Sequence, residues 1–369
     1  MKFPIEFTSL LFRKPSKKND VENDFIEGSQ NQILGTVISF RTGFTLLGAL
    51  FLIYFSFKIF KVDWDSTLDT FKTLDIAKYF IAFTAYYLSF LFRGLRWKTI
   101  SFNASVLDRS SDCDSTLRHT SSFQYSVLVL SGWFVNSVAW LRLGDVYRAY
   151  CLGVISKLGF SWGIGTLVAE RFLDMIIVLA LILASVMMLS SGVKNQALDF
   201  LVIFALIITA ILTAFVLLLA IAGKRLASRL PISVRSHYSQ FKIGVLNSFK
   251  NIFMVTLLGL AAWFMEITRL FFVTTSLNVD MSIYLIILAT MSNAVLSTFP
   301  TPGGIGIVEP GLTGIFIIAV SSSDAASITL LDRSITYLSV LIFGGLTFLL
   351  YQAWFQKKSK MIMSTHDVG

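Results

Sequence analysis

Residues 162–189 read WGIGTLVAERFLDMIIVLALILASVMML, and the last fifteen of them, 175–189, carry no charge. A helix needs about 20 mostly apolar residues to cross a bilayer, because an unpaired peptide group in hydrocarbon costs several kcal/mol. The segment is long enough, and it lacks the alternation of a barrel strand. Charged side chains within a span are costly and usually pair with one another. The segment therefore predicts a membrane-spanning helix that buries Glu170, Arg171 and Asp174.

Apolar runs of similar length recur along the chain. Hydrophobic residues make up 55% and charged residues 14% of the sequence, and the mean hydropathy is +0.72. Lipid must be part of the solvent of such a chain. We predict an all-α membrane protein, a polytopic helical bundle with six to eight spans and one or two re-entrant segments. The predicted spans are approximately 42–60, 76–92, 162–189, 200–222, 252–277 and 328–354, with ambiguous stretches at 123–141 and 283–320.

The charge pattern predicts how the chain is oriented. The formal net charge is +9, but the basic residues cluster between apolar runs, which indicates membrane orientation rather than nucleic-acid binding. A full crossing by 123–141 would place the basic segment 224–250 outside, against the positive-inside tendency, so we predict that 123–141 is re-entrant. For 283–320, two spans and a hairpin that enters from outside both remain open. We expect the cell membrane as location, with both termini cytoplasmic.

The domain prediction follows from the same pattern. Residues 1–36 are predicted to form a flexible cytoplasmic tail, residues 37–355 a transmembrane domain, and residues 356–369 a basic cytoplasmic tail. Polar, charged segments of this kind have no apolar core of their own.

Four motifs concentrate the groups that bind anions. The first is the run from Arg142 to Arg148, in which two arginines offer forked donors to phosphate, Gly144 allows close backbone approach, and Asp145 can hold an arginine in place. An alternative is an interfacial loop whose arginines only mark the cytoplasmic face. The second motif is Glu170-Arg171 with Asp174, in which the two acids share one helical face. Its alternative is a structural ion network that locks helices together.

The third motif, Trp263, Glu266 and Arg269, places an acid within reach of both neighbours on one helix. The fourth, PTPGGIGIVE at residues 300–309, breaks an apolar region, which at membrane depth requires protein or a water-filled cavity around the freed backbone. Its amides could hold an oxyanion, and a plain turn outside the membrane is the alternative. The predicted lipid- or phosphate-binding residues are Arg142, Gly144, Asp145, Arg148, Glu170, Arg171, Asp174, Glu266, Arg269, Gly303, Gly304, Gly306, Glu309 and Arg333.

A short internal similarity suggests two related halves. Gly144 precedes Arg171 by 171 − 144 = 27 residues, and Gly306 precedes Arg333 by 333 − 306 = 27 residues. With the orientation given above, the first motif would enter the membrane from the cytoplasm and the second from outside. This is the pattern of transporters built from inverted repeats.

These residues together resemble the membrane domain of the lysylphosphatidylglycerol synthase and flippase family. This family is also called uncharacterised family 0104 and is shared with an archaeal dolichol-linked glycosylation protein. The resemblance covers about residues 40–355. It rests on Arg93–Trp97, Arg142-x-Gly-Asp-x-x-Arg148, Glu170-Arg171-x-x-Asp174, Trp263-x-x-Glu266, Pro302-Gly-Gly-x-Gly306 with Glu309, and Arg333. Bulky Trp140 and Leu141 replace the small or proline residue that usually precedes the first motif. The resemblance implies a lipid-translocating helical domain.

The expected function is binding and translocation of an anionic phospholipid or lipid-linked intermediate. The sequence contains no G-x-x-x-x-G-K-[ST] loop, so we expect no direct use of ATP, and we expect no cofactor, metal site or catalytic residue. The expected partner is an anionic membrane lipid or lipid-linked glycan, with no nucleic acid. Because the sequence shows no transferase extension, lysyl transfer is not expected, and a separate transferase partner is considered. A membrane enzyme or enzyme subunit acting on a lipid-linked sugar, and a secondary transporter of a soluble anion, are the alternatives.

Overall fold

The structure, a computed structural model, describes Tyr54, Lys58 and residues 63–105, 120–156, 158–189, 196–229 and 231–352. All of them belong to one compact unit that begins at Leu52. The predicted tails 1–36 and 356–369 lie outside the described residues, as does the predicted first span 42–60 apart from Tyr54 and Lys58.

The described part of the chain consists of helices and short connections, with no strand, which confirms the predicted all-α membrane class. Its eleven helices are α1 (Trp64–Lys72), α2 (Ile76–Ser105), α3 (Ser122–Val138), α4 (Leu143–Ser156), α5 (Phe160–Leu189), α6 (Gln196–Arg229), α7 (Ile232–Asn247), α8 (Ile252–Ser276), α9 (Ile283–Leu296), α10 (Val308–Phe316) and α11 (Ser322–Gln352). Helix α11 contains two π-helical turns, at Ser334–Leu338 and Val340–Gly344.

Four of these helices are long and apolar enough to cross a membrane. They are α5, residues Val202–Ile221 of α6, α8 and α11. Helix α2 is also 30 residues long, about 45 Å at 1.5 Å per residue, but it is less apolar because it includes Arg93 and Arg96. The helix continues 13 residues beyond the predicted end of the span near residue 92, to Ser105, and buries both arginines together with Trp97.

Two helical hairpins interrupt the long helices. The first joins α3 to α4 through a single 3₁₀ turn at Trp140–Arg142, and the second joins α9 to α10 through a similar turn at Pro302–Gly304. Helix α3 has 17 residues, and α4 and α9 have 14 each. These arms are about 21–26 Å long, shorter than the roughly 30 Å hydrocarbon core. Arms of this length fit re-entrant hairpins better than full crossings. The predicted bounds of the first re-entrant segment were wrong, however, because 123–141 does not turn back within itself: α3 is a single helix, and α4 makes the return.

The two hairpin tips, tip 1 at residues 139–142 and tip 2 at residues 301–304, follow the same backbone path. Ala139 and Thr301 have φ and ψ of −99° and 153°, and −99° and 149°, respectively. The second residue of each 3₁₀ turn, Leu141 or Gly303, has a φ of 57°. Glycine adopts this left-handed conformation readily, whereas other residues pay about 1–2 kcal/mol. Tip 1 therefore holds a strain that tip 2 avoids.

The arrangement of the helices agrees with the predicted inverted repeat. Helices α2 and α8 run antiparallel, because Asp75 N donates to Ser276 O at 2.8 Å and Asn103 Nδ2 donates to Ser248 O at 3.3 Å. The first arm of each hairpin packs on the long helix of the other half, α3 on α11 and α9 on α5. The Tyr337 hydroxyl of α11 donates to the carbonyl of Ser137 at 3.4 Å. The first arm of each hairpin therefore contacts the other half, while α3 also packs on α2, α4 on α5 and α10 on α11.

Close packing of α3 against α4 predicts that a side chain at position 144 destabilises the protein. A methyl group there would overlap the Gly132 carbonyl and approach Asn136 Oδ1, which accepts a hydrogen bond from Gly144 N at 2.8 Å. Because backbone cannot yield as a side chain can, we expect Gly144→Ala to lower the free energy of unfolding by about 1–3 kcal/mol. Gly311→Ala is the matched control, since its methyl group meets the end of the Leu296 side chain. Equal thermal unfolding of the two variants in detergent would contradict this packing argument.

Candidate functional site

A network of buried ion pairs joins the long helices to the hairpins. Charges lie in the interior of apolar helices α5, α8 and α11, where an unpaired charge would cost about 2.5–3.5 kcal/mol or more. Among the described residues, the ion pairs of this network join seven arginines and six carboxylates. The arginines are Arg93, Arg96, Arg142, Arg148, Arg171, Arg269 and Arg333, and the acids are Asp145, Glu170, Asp174, Glu266, Glu309 and Asp332.

The first cluster contains the ion-paired residues around α5 and tip 1. Arg96 of α2 makes a bidentate pair with Asp174, with Nη1–Oδ1 and Nη2–Oδ2 distances of 2.7 and 2.9 Å. Arg148 of α4 donates from Nη2 to Glu170 Oε2 at 2.9 Å. Glu170 also lies 3.4 Å from Arg96. The remaining members are Arg142, Asp145 and Arg171.

Asp145, in the first turn of α4, is shared by three arginines of the first cluster. Its carboxylate oxygens lie 3.2 Å from Arg142 Nε, 3.2 Å from Arg171 Nη2 and 3.7 Å from Arg148 Nη1. Arg142 also donates from Nη1 to the carbonyl of Ser297 at 3.2 Å. Since Ser297 ends α9, tip 1 contacts the first arm of the opposite hairpin directly.

The second cluster lies between α2, α8, α10 and α11. Glu266 accepts from Arg93 Nη2 at 2.9 Å and from Arg269 Nε at 3.1 Å, and Arg269 also pairs with Asp332. At tip 2, Arg333 Nε donates to Glu309 Oε1 at 2.8 Å. Glu309 Oε2 in turn accepts from the Gly306 amide at 2.7 Å, and Arg333 Nη2 donates to the Gly303 carbonyl at 2.9 Å. We define the second cluster as Arg93, Glu266, Arg269, Glu309, Asp332 and Arg333.

The two clusters differ in net charge. Counted over the described residues, the first has four arginines and three acids and a net charge of +1, whereas the second has three of each and is neutral. The first cluster, which has the net positive charge, also contains the most exposed arginines of the network: the side chains of Arg142 and Arg171 are 28% and 26% exposed. Of the other five arginines, Arg333 has the most exposed side chain, at 11%. The accessible end of the network therefore carries unneutralised positive charge.

Several donors of the first cluster have no acceptor in the described part of the chain. They are Nε and Nη1 of Arg148, Nε of Arg96 and Nε of Arg171. Buried donors normally have partners, and one left alone costs about 1–3 kcal/mol. These donor atoms are buried, whereas the charge surplus lies beside the partly exposed Arg142 and Arg171, where a ligand with negative charge and acceptor oxygens would first bind.

Aromatic rings cover the faces of four of the buried guanidinium groups. Arg93 lies between Trp133 and Trp263, with ring centroids 4.8 and 5.3 Å from its Cζ atom. Arg148 lies over Trp97 at 4.4 Å, Arg269 over Tyr86 at 5.7 Å, and Arg333 over Tyr337 at 5.1 Å. A cation over a ring face is stabilised by about 0.5–2 kcal/mol, more when it is desolvated. The rings thus stabilise the same four guanidinium groups that also pair with carboxylates.

The predicted site residues are brought together, but with several unexpected partners. Arg171 was expected to lie between Glu170 and Asp174; instead it pairs with Asp145 at 3.2 Å and only loosely with Asp174 at 3.9 Å, while Glu170 pairs with α2 and α4. Trp263 Nε1 donates to Asp174 at 3.3 Å rather than to Glu266. These differences arise because the nearest charges come from other helices.

The glycines have structural partners that the motifs did not predict. Gly144 was expected to let backbone approach a ligand, but α3 fills the space beside it. The Gly306 amide was expected to be available to an oxyanion, and the chain's own Glu309 carboxylate accepts from it. Gly303 and Gly304 adopt φ of 57° and 72° at tip 2, where a side chain would meet Tyr337 or Val308.

Three members of the network were absent from the predicted site. Arg93 and Arg96 directly follow a predicted span and form part of the family resemblance, but they were not counted among the binding residues, although their spacing of three places them on one helical face. Asp332 precedes Arg333 within α11 and is 1% exposed. The sequence could have identified Asp332 in the same way as Glu170, because a charged residue within an apolar segment predicts a buried and paired side chain.

A bundle of span-length apolar helices that encloses paired charges is an integral membrane protein. The sequence profile of the lysylphosphatidylglycerol synthase TM region matches residues 32–344, so the chain belongs to this family. A UPF0104 membrane protein of Methanocaldococcus jannaschii is 26% identical over 62% of this chain and 98% of its own length. A UPF0104 membrane protein of Pyrococcus horikoshii is 23% identical over 82% of this chain and 93% of its own length. No solved structure matches the chain.

Proposed function

We propose that this protein binds the phosphate group of an anionic phospholipid or lipid-linked intermediate at the first cluster and translocates it without direct use of ATP. The observation that carries the proposal is the surplus charge of +1 beside the two most accessible arginines, Arg142 and Arg171. Arginine forks match phosphate oxygens in pairs. Hydrocarbon cannot solvate a phosphate, so fixed donors must replace its lost hydration.

The hairpin geometry supports translocation in addition to binding. Tip 1 places Arg142 between Asp145 and the end of α9, where the two hairpins touch. Because each hairpin packs on the long helix of the other half, a movement of one half relative to the other alters the surroundings of the first cluster. Inverted repeats in secondary transporters use this kind of relative movement to expose a central site alternately. We place the protein in the cell membrane with both termini cytoplasmic.

A lipid-movement assay tests the proposal. Vesicles containing the purified protein and fluorescent phosphatidylglycerol should show faster exchange of the lipid between leaflets than protein-free vesicles. Arg171→Gln removes the surplus charge, and we expect it to reduce the protein-dependent rate about tenfold, equivalent to about 1.4 kcal/mol. Arg235→Gln, which removes an exposed arginine on α7, is the matched control and should leave the rate unchanged.

Folding must be separated from transport in this assay. Both variants are therefore compared with the unmodified protein by thermal unfolding in detergent before reconstitution. If the folded Arg171→Gln protein and the unmodified protein exchange the lipid equally fast, or neither exceeds protein-free vesicles, the proposal is wrong.

A further inference from the structure

We infer that the first cluster selects lipids whose headgroup carries a single net negative charge. This inference rests on the proposed function and specifies its substrate class. It excludes both zwitterionic lipids and lipids with two or more negative charges as preferred ligands. The basis is the count of four arginines against three carboxylates in a cluster whose most exposed member is Arg142, at 28%.

The physical reason is the cost of unneutralised charge in a medium of low dielectric constant. A single buried charge costs several kcal/mol after relaxation, and a partner of opposite sign offsets much of that cost. A headgroup of charge −1 brings the first cluster from +1 to 0. A zwitterion leaves it at +1, and a headgroup of charge −2 takes it to −1. The monoanion is therefore the ligand that leaves no net charge.

Asp145 increases the preference for headgroups with one negative charge over headgroups with two. Its carboxylate lies between Arg142, Arg148 and Arg171, and its side chain is 20% exposed. A phosphate that approaches Arg142 and Arg171 therefore also approaches a fixed negative charge. The first negative charge of the ligand is balanced by the surplus, but a second would be repelled by Asp145 without compensation. Asp145 is thus the specificity-determining residue of the site.

The available donors fit a phosphodiester. Such a group has two non-bridging oxygens that share one negative charge, and each oxygen accepts more than one hydrogen bond. Nε and Nη1 of Arg148 and Nε of Arg171 make no hydrogen bond among the described residues. All three atoms are buried, so a phosphodiester first binds the partly exposed side chains of Arg142 and Arg171 and reaches these donors from there. Two oxygens in this region can supply several acceptors without adding a second charge.

Variants that change the charge of the first cluster but keep the shape of the side chain test the inference, because they should change which lipid the protein prefers. The protein is incubated with equal amounts of phosphatidylglycerol (charge −1), phosphatidylcholine (charge 0) and phosphatidic acid, a phosphomonoester with about two negative charges at pH 8. Bound lipid is then identified by native mass spectrometry. We expect the unmodified protein to prefer phosphatidylglycerol about tenfold over each of the others, equivalent to about 1.4 kcal/mol.

The variants shift the net charge of the first cluster in opposite directions. Asp145→Asn raises it to +2 and should move the preference toward phosphatidic acid by about tenfold. Arg142→Gln lowers it to 0 and should reduce the preference for phosphatidylglycerol over phosphatidylcholine by a similar factor. Arg171→Gln has the same charge effect and replaces Arg142→Gln if that protein does not fold. Arg235→Gln should leave the lipid ranking unchanged.

The outcomes separate this inference from the proposed function. If the unmodified protein retains no lipid specifically, the proposed function fails. If it retains phosphatidylglycerol but the ranking is the same in Asp145→Asn and Arg142→Gln, only the charge-selection inference is overturned. Competition with soluble glycerophosphoglycerol distinguishes a lipid from a free phosphodiester. Complete displacement at concentrations equal to those of the lipid would overturn the assignment to a lipid.

Discussion

Arg96→Met is expected to lower the free energy of unfolding by about 3–5 kcal/mol, the usual cost of breaking a buried ion pair from one side. The Arg96 side chain is 2% exposed and is held by two hydrogen bonds to Asp174, of 2.7 and 2.9 Å. It also lies 3.4 Å from Glu170. Methionine fills much of the same volume, so the loss reports the unpaired carboxylates more than a cavity. Unfolding by titration with a denaturing detergent measures the change.

Two controls isolate the charge effect at Arg96. The double variant Arg96→Met with Asp174→Leu removes both charges, and we expect it to be more stable than Arg96→Met alone, because apolar pairs can replace buried ion pairs at little cost. Lys98→Met removes a positive charge from the same helix at a partly exposed position, where we expect a change within about 0.5 kcal/mol. A loss below about 1 kcal/mol for Arg96→Met would show that this pair does not hold α2 to α5.

Gly303→Ala is expected to destabilise the protein by about 2–5 kcal/mol. Two energetic costs add at this position. The first is backbone strain, because a residue other than glycine at a φ of 57° is destabilised by about 1–2 kcal/mol. The added methyl group would also overlap the Tyr337 ring, and overpacking costs about 1–3 kcal/mol. The side chain of Tyr337 donates to Ser137 O and covers Arg333, so its displacement should disturb both tips. Thermal unfolding in detergent gives the size of the effect.

The equivalent residue of the other hairpin provides the matched comparison. Leu141 has the same φ of 57° and is 62% exposed, so Leu141→Gly relieves strain and removes little buried surface. Greater freedom of glycine in the unfolded chain offsets part of the gain. We therefore expect a stability within about 1 kcal/mol of the unmodified protein, with a small increase favoured. If both substitutions destabilise to a similar degree, the two tips are not conformationally equivalent.

Local features of the sequence predicted a re-entrant segment near tip 1, a helix break at tip 2 and most of the charged residues, but they left open whether 283–320 forms a hairpin or two spans. Apolar runs interrupted by Glu170 or Glu266 indicate buried charge because lipid does not tolerate an isolated ion. The prolines and glycines at 300–306 indicated a break in the helix. Tip 1 has the same geometry but uses Leu141 and Arg142, which carry no signal for a positive φ. The sequence alone therefore did not show that the two tips have the same backbone conformation.

The pairing of the charges could not be predicted from local pattern. Arg93 pairs with Glu266 across 173 residues and Arg96 with Asp174 across 78. Apolar runs indicate which segments enter the membrane but contain no information about which helices are neighbours. For this reason Arg93 and Arg96 were left out of the predicted binding residues, whereas carboxylates of α8 and α5 pair with them inside the bundle.

The long separation between Arg93 and its carboxylate has a consequence for synthesis. Glu266 emerges from the ribosome 173 residues after Arg93, a delay of about 9–35 s at 5–20 residues per second. During that interval Arg93 is charged, but Glu266 has not yet been synthesised. Water or the insertion machinery must therefore solvate the Arg93 charge until Glu266 is available. Final assembly in the membrane is therefore post-insertional, and it cannot be completed until the C-terminal half has been delivered.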